Sequence, residues 1–109
     1  MSRLNIKALT VNQSYRGRRF STPELKSYKH SVSYLLPKME VPSGKLRLNY
    51  RFGVSSKCSD VDNCVKAFQD CLSEKYGFND NKIYAISMEK EDVEKGKEFI
   101  EFSISSYVQ

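Results

Sequence analysis

The sequence contains little of what several common enzyme chemistries require. Among its 109 residues there is one histidine, His30, and there are three cysteines, none of them in a C-x-x-C pair. Zinc sites need closely spaced ligands of these types, and nucleophilic catalysis needs a partnered cysteine or histidine, so the sequence favours neither. The odd set of cysteines instead indicates small, buried apolar side chains in a reducing compartment, at Cys58, Cys64 and Cys71.

Long apolar segments are also absent. No apolar run approaches the roughly 20 residues that a membrane-spanning helix needs, and residues 1–5 lack the apolar core of a secretory signal. We therefore expect a cytoplasmic protein. An apolar fraction of 39% with 28% charged residues is ordinary for a folded chain, and the length fits a single domain over residues 1–109.

Acidic residues are scarce in the first half of the chain and abundant in the second. Residues 1–57 contain 12 lysines and arginines but only two glutamates, a net charge of +10, whereas residues 58–109 contain six lysines and 11 acidic residues, a net charge of −5. One half is therefore suited to binding a polyanion such as a nucleic acid, while the other provides carboxylates. The alternative is a solvated surface whose charge is merely uneven.

Two segments have the apolar spacing of helices. Ser21 and Glu24 have capping-box spacing and Pro23 suits a first turn, so a helix is predicted to begin there. Its predicted apolar face consists of Leu25, Tyr28, Val32, Leu35 and Leu36. A second helix is predicted over residues 60–76, followed by Gly77 as a left-handed cap. Its predicted apolar face consists of Val61, Cys64, Val65, Phe68, Cys71 and Leu72.

Four further segments are typical of strands. Residues 3–11 have the pattern of an edge strand, and residues 45–54 alternate between an apolar face and a basic, open face. Residues 83–89 and 99–106 are predicted to be two strands joined by a hairpin around residues 91–96. The order strand, helix, strand, helix, strand, strand predicts an α+β fold with a mixed or antiparallel sheet.

Carboxylates stand at both ends of the predicted second helix. Asp60 and Asp62 lie at its mouth, Asp80 lies on the turn that follows it, and Lys66 lies one turn beyond Asp62. Clustered carboxylates with few histidines are typical of magnesium or manganese sites, where the ion activates water for attack on a phosphodiester and a lysine offsets phosphate charge. Plain structural roles remain open: a helix cap, a first-turn carboxylate, an (i, i+4) ion pair and an ordinary turn.

The pattern D-V-D-N-x-x-K that begins at Asp60, followed by D-N-K-I from Asp80, resembles the RusA family of Holliday junction resolvases. The segment N-x-x-Y-R from Asn12 is similar to the family's first loop, so the resemblance covers nearly the whole chain. It implies a small α+β homodimer that cuts four-way DNA junctions with Mg²⁺. It also implies a role in DNA recombination, repair or phage genome processing, because RusA-like genes commonly belong to phages and prophages.

The resemblance assigns roles to particular residues. It makes Asp60, Asp62 and Asp80 the metal-binding catalytic carboxylates and Lys66 the catalytic lysine. The family's acidic turn often holds two aspartates, whereas this chain has Asn79 before Asp80. The expected DNA-binding residues are Asn12, Tyr15, Arg16, Arg18, Arg19, Arg47, Arg51 and Lys57.

A homodimer is also expected from the symmetry of the reaction. Resolving a four-way junction needs two nicks, and the chain carries one D-x-D-N-x-x-K set without an internal repeat. Other functions remain open at this point. They are a nuclease for other branched DNA, a non-catalytic nucleic-acid-binding module and a protein-interaction domain.

Overall fold

A computed structural model describes residues 2–8, 23–55 and 61–108, with the side chains of residue 24 and residues 61–64 left outside the description. These residues form, in chain order, β1 (Ser2–Leu4), α1 (Pro23–Leu35), β2 (Leu46–Val54), α2 (Val61–Tyr76), β3 (Ile83–Asp92) and β4 (Phe99–Ser106). A 3-10 turn at Asp80–Lys82 precedes β3. The predicted α+β class and element order are confirmed.

The four strands form one mixed sheet in the order β1-β4-β2-β3. β4 pairs antiparallel with both β1 and β2, whereas β2 and β3 run parallel. β1 is an edge strand, as predicted, but it is shorter than residues 3–11. Ile6 and Ala8 follow it without strand structure and pack against the core.

The predicted hairpin between β3 and β4 is wrong, because β2 lies between these two strands. Helix α2 carries the chain back along the sheet, so β3 enters parallel to β2, and the following loop must cross the end of β2 to reach β4. Val93 on that loop donates its N–H to the carbonyl oxygen of Val54 at 2.9 Å. Because β3 and β4 are adjacent in sequence, the pattern suggested a hairpin and did not indicate that the loop between them crosses the end of β2.

Both helices contribute to the core on one face of the sheet. The predicted apolar face of β2 is buried there at Leu46, Leu48, Tyr50 and Phe52. From α1 come Leu25, Tyr28, Val32 and the following Leu36, and from α2 come Val65, Phe68, Cys71 and Leu72. Leu35 was predicted to belong to this core but is 42% exposed, because Val32 and Leu36 take the buried side at this end of α1 and Leu35 lies beside that side rather than on it.

Two expectations about helix α2 are confirmed. It ends at Tyr76, and Gly77 adopts a left-handed conformation with φ 73°, donating its N–H to the Ser73 carbonyl at 2.8 Å. The thiol of Cys71 is buried, and burial raises its pKa to about 12, which makes it a poor nucleophile at neutral pH. Among the described helices, none is long and apolar enough to span a membrane.

Candidate nucleic-acid interface and metal site

The stripe of α2 that faces away from the core carries Lys66, the last residue of the D-V-D-N-x-x-K pattern. Lys66 is exposed and Asp70, one turn further, is half-buried, while the neighbouring Phe68 faces the core. Asp62 belongs to the first turn of α2, but its side chain lies outside the described residues, as does the whole of Asp60. The structure therefore locates Lys66 on the solvent side of α2 and leaves the two aspartates at the helix mouth as predictions.

Asp80 lies close enough to α2 and β2 to affect the pKa values of one group on each of them. It is exposed and begins the 3-10 turn, where Asn79 caps the turn by accepting the Asn81 N–H at 3.1 Å. Burial raises the pKa values of Tyr50 and Asp70, and the negative charge of Asp80 raises each further. The turn therefore lies near enough for the Asp80 carboxylate to interact electrostatically with Asp70 of α2 and Tyr50 of β2.

Asp70 stands among charges of both signs. Burial raises the pKa of its carboxyl, Lys29 and Lys66 lower it, and Asp80 and Glu74 raise it, with a net increase. The Lys29 Nζ lies 3.2 Å from the Glu74 Oε1, which links α1 to α2 beside this carboxyl. Nothing in the sequence indicated that Asp70 interacts electrostatically with Asp80.

The parallel pairing of β2 and β3 determines how far Asp80 lies from the helix mouth. Helix α2 starts after the end of β2 and leads back to the start of β3, so Asp62 and Asp80 flank opposite ends of the helix. Asp70 is eight residues beyond Asp62, which corresponds to about 12 Å along a helix axis. For Asp80 to share one ion with Asp60 and Asp62, its carboxylate must reach from beside Asp70 to the first turn of α2.

The donor groups suit a hard cation. Within the described side chains, no three His, Cys, Asp or Glu residues are grouped closely enough to hold a metal ion. Of the predicted donors, Asp80 lies among the described side chains, where it interacts electrostatically with Asp70, and Asp60 and Asp62 lie outside that set. Carboxylate oxygens fit Mg²⁺ or Mn²⁺ rather than a soft metal, so the donor chemistry agrees with the predicted ion, and a complete site depends on the helix mouth.

Of the predicted DNA-binding residues, the structure describes Arg47 and Arg51. Both lie on β2 on the sheet face opposite the helices, which we call the open face, with Asn49 between them. Asn49 donates a hydrogen bond from its Nδ2 to the Ser103 Oγ of β4 at 3.1 Å. The polar character of this face is confirmed. The predicted residues that lie outside the described part are Asn12, Tyr15, Arg16, Arg18, Arg19 and Lys57.

One end of the open face, where β2 finishes, is acidic. Arg51 forms an ion pair with Glu91 of β3, which offsets its charge. Glu98 accepts hydrogen bonds from the Ser55 Oγ at 2.6 Å and the Gly96 N–H at 2.8 Å, and these bonds lower the pKa of its carboxyl. This end therefore has little net positive charge to offer a phosphate.

The other end of the open face, where β2 begins, is basic and aromatic. The rings of Tyr84 and Tyr107 stack with centroids 5.8 Å apart. The Lys45 ammonium lies 4.7 Å from the Tyr84 centroid, and the Arg47 guanidinium lies 5.4 Å from the Tyr107 centroid. Sequence analysis missed both tyrosines. Tyr84 lies where β2 and β3 shift register between Leu46 and Arg47, which strict alternation does not locate, and Tyr107 follows the end of β4.

Comparison with models of known protein families identifies the family of the chain. A family model described as "Endodeoxyribonuclease RusA" matches residues 7–103. The chain belongs to the RusA family. No individual curated protein matches the chain, so the family model carries this assignment.

Membership of the RusA family agrees with the architecture and indicates the activity. The two helices and the four-stranded mixed sheet are consistent with a RusA-like α+β fold. The family is one of endodeoxyribonucleases of the Holliday junction resolvase type, which act on branched DNA. The matched residues include the D-V-D-N-x-x-K pattern and Asp80.

Proposed function

We propose that this RusA-family protein resolves four-way DNA junctions by paired, Mg²⁺-dependent hydrolysis of phosphodiester bonds during DNA recombination or repair. The observation that carries the proposal is the family match over residues 7–103, which includes every residue of the D-V-D-N-x-x-K pattern. We also propose that residues 1–109 form one domain and that two copies act together, since each chain carries one such pattern.

The proposed metal ligands are Asp60, Asp62 and Asp80. Their carboxylates provide the hard oxygen donors that Mg²⁺ prefers. When bound, Mg²⁺ activates the attacking water and offsets the charge that develops at the phosphodiester. The proximity of Asp80 to Asp70 supports the presence of several carboxylates along one side of α2, although the ion must be shared with the helix mouth.

Lys66 is the proposed catalytic lysine. It lies on the same stripe of α2 as Asp62, one helical turn beyond it, and its side chain is exposed. An ammonium group there can approach the phosphate whose charge increases in the transition state. The Lys66 ammonium also interacts electrostatically with the Asp70 carboxyl on this side of α2.

The proposed DNA-binding surface combines the basic first loop with the basic part of β2. Its residues are Asn12, Tyr15, Arg16, Arg18, Arg19, Arg47, Arg51 and Lys57. The acidic end of the open face limits the contribution of Arg51, because Glu91 offsets its charge. Arg47 is therefore the stronger of the two β2 candidates for a phosphate contact.

The proposal is tested by incubating purified protein with a synthetic four-way junction and with a matched linear duplex, in Mg²⁺ and in EDTA. We expect paired nicks in the junction alone and in Mg²⁺ alone. Asp62→Asn should abolish cleavage and leave junction binding intact or stronger, because it removes negative charge next to a phosphate. Junction cleavage by Asp62→Asn at the parental rate would show the assignment of this carboxylate to be wrong.

Asp80→Asn tests whether Asp80 shares the metal ion with Asp60 and Asp62 at the helix mouth. If Asp80 shares the ion with the helix mouth, this variant should be as inactive as Asp62→Asn. Retained cleavage would remove Asp80 from the metal-binding set and leave Asp60 and Asp62 in it. Salt-dependent junction binding without any nicking by the parent protein would instead favour a non-catalytic nucleic-acid-binding module.

A further inference from the structure

The basic end of the open face has the composition of a nucleotide-binding surface. Tyr84 is 55% exposed on the edge strand β3, and its ring stacks on that of Tyr107, with an interplanar angle of 30°. Lys45 and Arg47 lie over these two rings at 4.7 and 5.4 Å. We propose that these four residues, the Tyr84 cluster, form a platform on which bases of unpaired DNA stack. This inference rests on the proposed action on branched DNA.

The chemistry of the cluster matches both parts of a nucleotide. An exposed aromatic ring stacks on any base irrespective of sequence, and neighbouring cations contact the phosphates. Lys45 is exposed, so its ammonium can move off the Tyr84 ring when a base stacks there. The displaced Lys45 ammonium is then available to contact a phosphate. Four-way junctions and branched intermediates expose unpaired or unstacked bases at the crossover, which a continuous duplex does not.

The position of the cluster relates it to the proposed catalytic carboxylates. Asp80 begins the turn that leads into β3, and Tyr84 is four residues beyond it. A surface pocket beside Tyr84 is lined by Gly44, Lys45, Asn81 and Lys82. Two lysines therefore flank the ring at the end of the sheet where Asp80 lies. When a base stacks on Tyr84, the phosphate of the same nucleotide lies next to Lys45 and Lys82. The DNA strand can then continue toward Asp80.

The rings are held by the sheet but are not part of its core. Tyr107 follows the end of β4, and its N–H donates to the Lys45 carbonyl at 2.9 Å, which extends the pairing of β2 with β4 by one bond. Tyr84 projects from an edge strand on the side where the helices do not pack. The backbone thus fixes the rings while their outer surfaces stay accessible, which lowers the entropy cost of stacking.

Charge argues for DNA rather than a second copy of the chain as the occupant. In a two-fold interface whose axis passes through the Tyr84 cluster, the cluster faces its own copy. Lys45, Arg47 and Lys82 would then approach the same cations of the partner, with a repulsive energy that increases as water is excluded. A polyanion with flat bases satisfies both the cations and the rings.

The test compares two single-stranded ligands of equal charge in EDTA, where no cleavage occurs. One is an oligothymidylate and the other is an abasic phosphodiester chain of the same length. We expect the parent protein to bind the oligothymidylate on the order of 5- to 100-fold more tightly, as expected for stacking of one or a few bases. Tyr84→Leu/Tyr107→Leu should lose this preference, whereas Tyr84→Phe should retain it because the ring remains.

Tyr34→Leu is the matched control, since Tyr34 is 86% exposed but lies on α1 on the other side of the sheet. It should retain the preference for bases. Tyr84→Leu alone replaces one exposed side chain, and it provides the comparison if the double variant does not fold. Equal binding of the two ligands by the parent, or an unchanged preference in Tyr84→Leu and the double variant, would overturn the platform.

Light scattering on the same variants separates the two possible occupants. If Tyr84→Leu/Tyr107→Leu converts a dimeric parent into monomers, the Tyr84 cluster is a subunit contact and the proposal fails. The platform and the proposed function also fail separately. A parent protein that nicks junctions but binds both ligands equally overturns the platform alone, whereas base-dependent binding without nicking overturns the proposed function alone.

Discussion

Arg51 on β2 and Glu91 on β3 form an ion pair across the open face of the sheet, whereas Arg47, on the same strand and the same face, has its guanidinium over the ring of Tyr107. The sequence predicted the same DNA-binding role for both arginines, but the fold gives them different electrostatic surroundings. The charge of Arg51 is offset by a carboxylate, and that of Arg47 is next to an aromatic ring and Lys45.

This difference predicts unequal contributions to DNA binding. Arg47→Ala should weaken binding of a four-way junction and lower the salt dependence by about one unit of slope, the loss expected for one phosphate contact. Arg51→Ala should have a smaller effect, because Glu91 already offsets its charge. Glu91→Gln should tighten binding by exposing the charge of Arg51. Titrations at several salt concentrations measure all three, and equal losses for Arg47→Ala and Arg51→Ala would contradict the assignment.

Lys66→Ala separates a catalytic role from a structural one. An exposed lysine that only pairs with carboxylates of its own helix contributes well under about 1 kcal/mol to stability. If its ammonium offsets charge on the phosphate, single-turnover cleavage should decrease by orders of magnitude at an unchanged melting temperature. Lys75→Ala, another exposed lysine on α2, is the control and should cleave normally. Normal cleavage by Lys66→Ala would exclude the catalytic role.

Asp70 predicts a stability change with a definite dependence on pH. Burial raises the pKa of its carboxyl above the unfolded value, so the folded state binds the proton more tightly than the unfolded state. The resulting stability is fully present below the unfolded pKa, about 3.9, and is lost as the pH rises through the folded pKa. Asp70→Asn, which stays uncharged, should therefore unfold at a higher temperature than the parent at pH 7.

The advantage of Asp70→Asn should shrink as the pH decreases toward 4, because Asp70 of the folded parent then becomes protonated and no longer carries a buried charge. Glu74→Gln is the control. Glu74 is exposed and its Oε1 lies 3.2 Å from the Lys29 Nζ, so its neutralisation should bring no gain at pH 7. Thermal unfolding from pH 4 to pH 8 measures both variants. A loss of stability in Asp70→Asn at pH 7 would mean that its interactions with Lys29 and Lys66 outweigh its burial.

The spacing of apolar residues correctly predicted the elements that bury only one face. The alternation of β2 and the apolar stripe of α2 are each local, since a residue's neighbours two or three to four positions away share its face. For that reason Leu48, Phe52, Phe68 and Leu72 were placed in the core correctly. Gly77 was predicted correctly because a left-handed helix end leaves few alternatives to glycine.

Relationships between distant segments could not be predicted in this way. The insertion of β2 between β3 and β4 depends on which way α2 returns the chain, and no local pattern specifies that. The interaction of Asp80 with Asp70 depends on how the chain returns from α2 into β3, and the stacking of Tyr84 on Tyr107 depends on the strand order and on the register shift at the start of the β2–β3 pair. The family resemblance named Asp80 as a site residue, but it did not indicate the neighbours that the fold gives it.

Gly53 should resist substitution because of one side chain. It pairs with Phe99 of β4, and a β-carbon at this position would overlap the buried Phe99 ring, over which the Arg3 guanidinium lies at 4.0 Å. Gly53→Ala should lower the free energy of unfolding by about 1–3 kcal/mol, the usual cost of overpacking. In a Phe99→Ala background the same substitution should cost clearly less. Urea unfolding of the four proteins measures this coupling, and strictly additive effects would show that the ring moves aside without cost.

The homodimer predicts what mixed active and inactive subunits will do. One chain carries one D-V-D-N-x-x-K pattern, and a junction with two-fold symmetry is matched by a protein with two-fold symmetry. Light scattering at micromolar concentration should report about twice the chain mass of 12.6 kDa. When parent protein is mixed with excess Asp62→Asn protein and allowed to exchange subunits, most active sites will lie in dimers with one functional centre. Such dimers should nick one strand and seldom resolve the junction, so nicked intermediates should accumulate in proportion to the inactive fraction.

A supercoiled cruciform plasmid distinguishes these products, because one nick gives an open circle and two coordinated nicks give a linear molecule. If a strictly monomeric protein makes paired nicks, or if excess Asp62→Asn leaves the ratio of linear to nicked product unchanged, the two cuts do not depend on paired subunits.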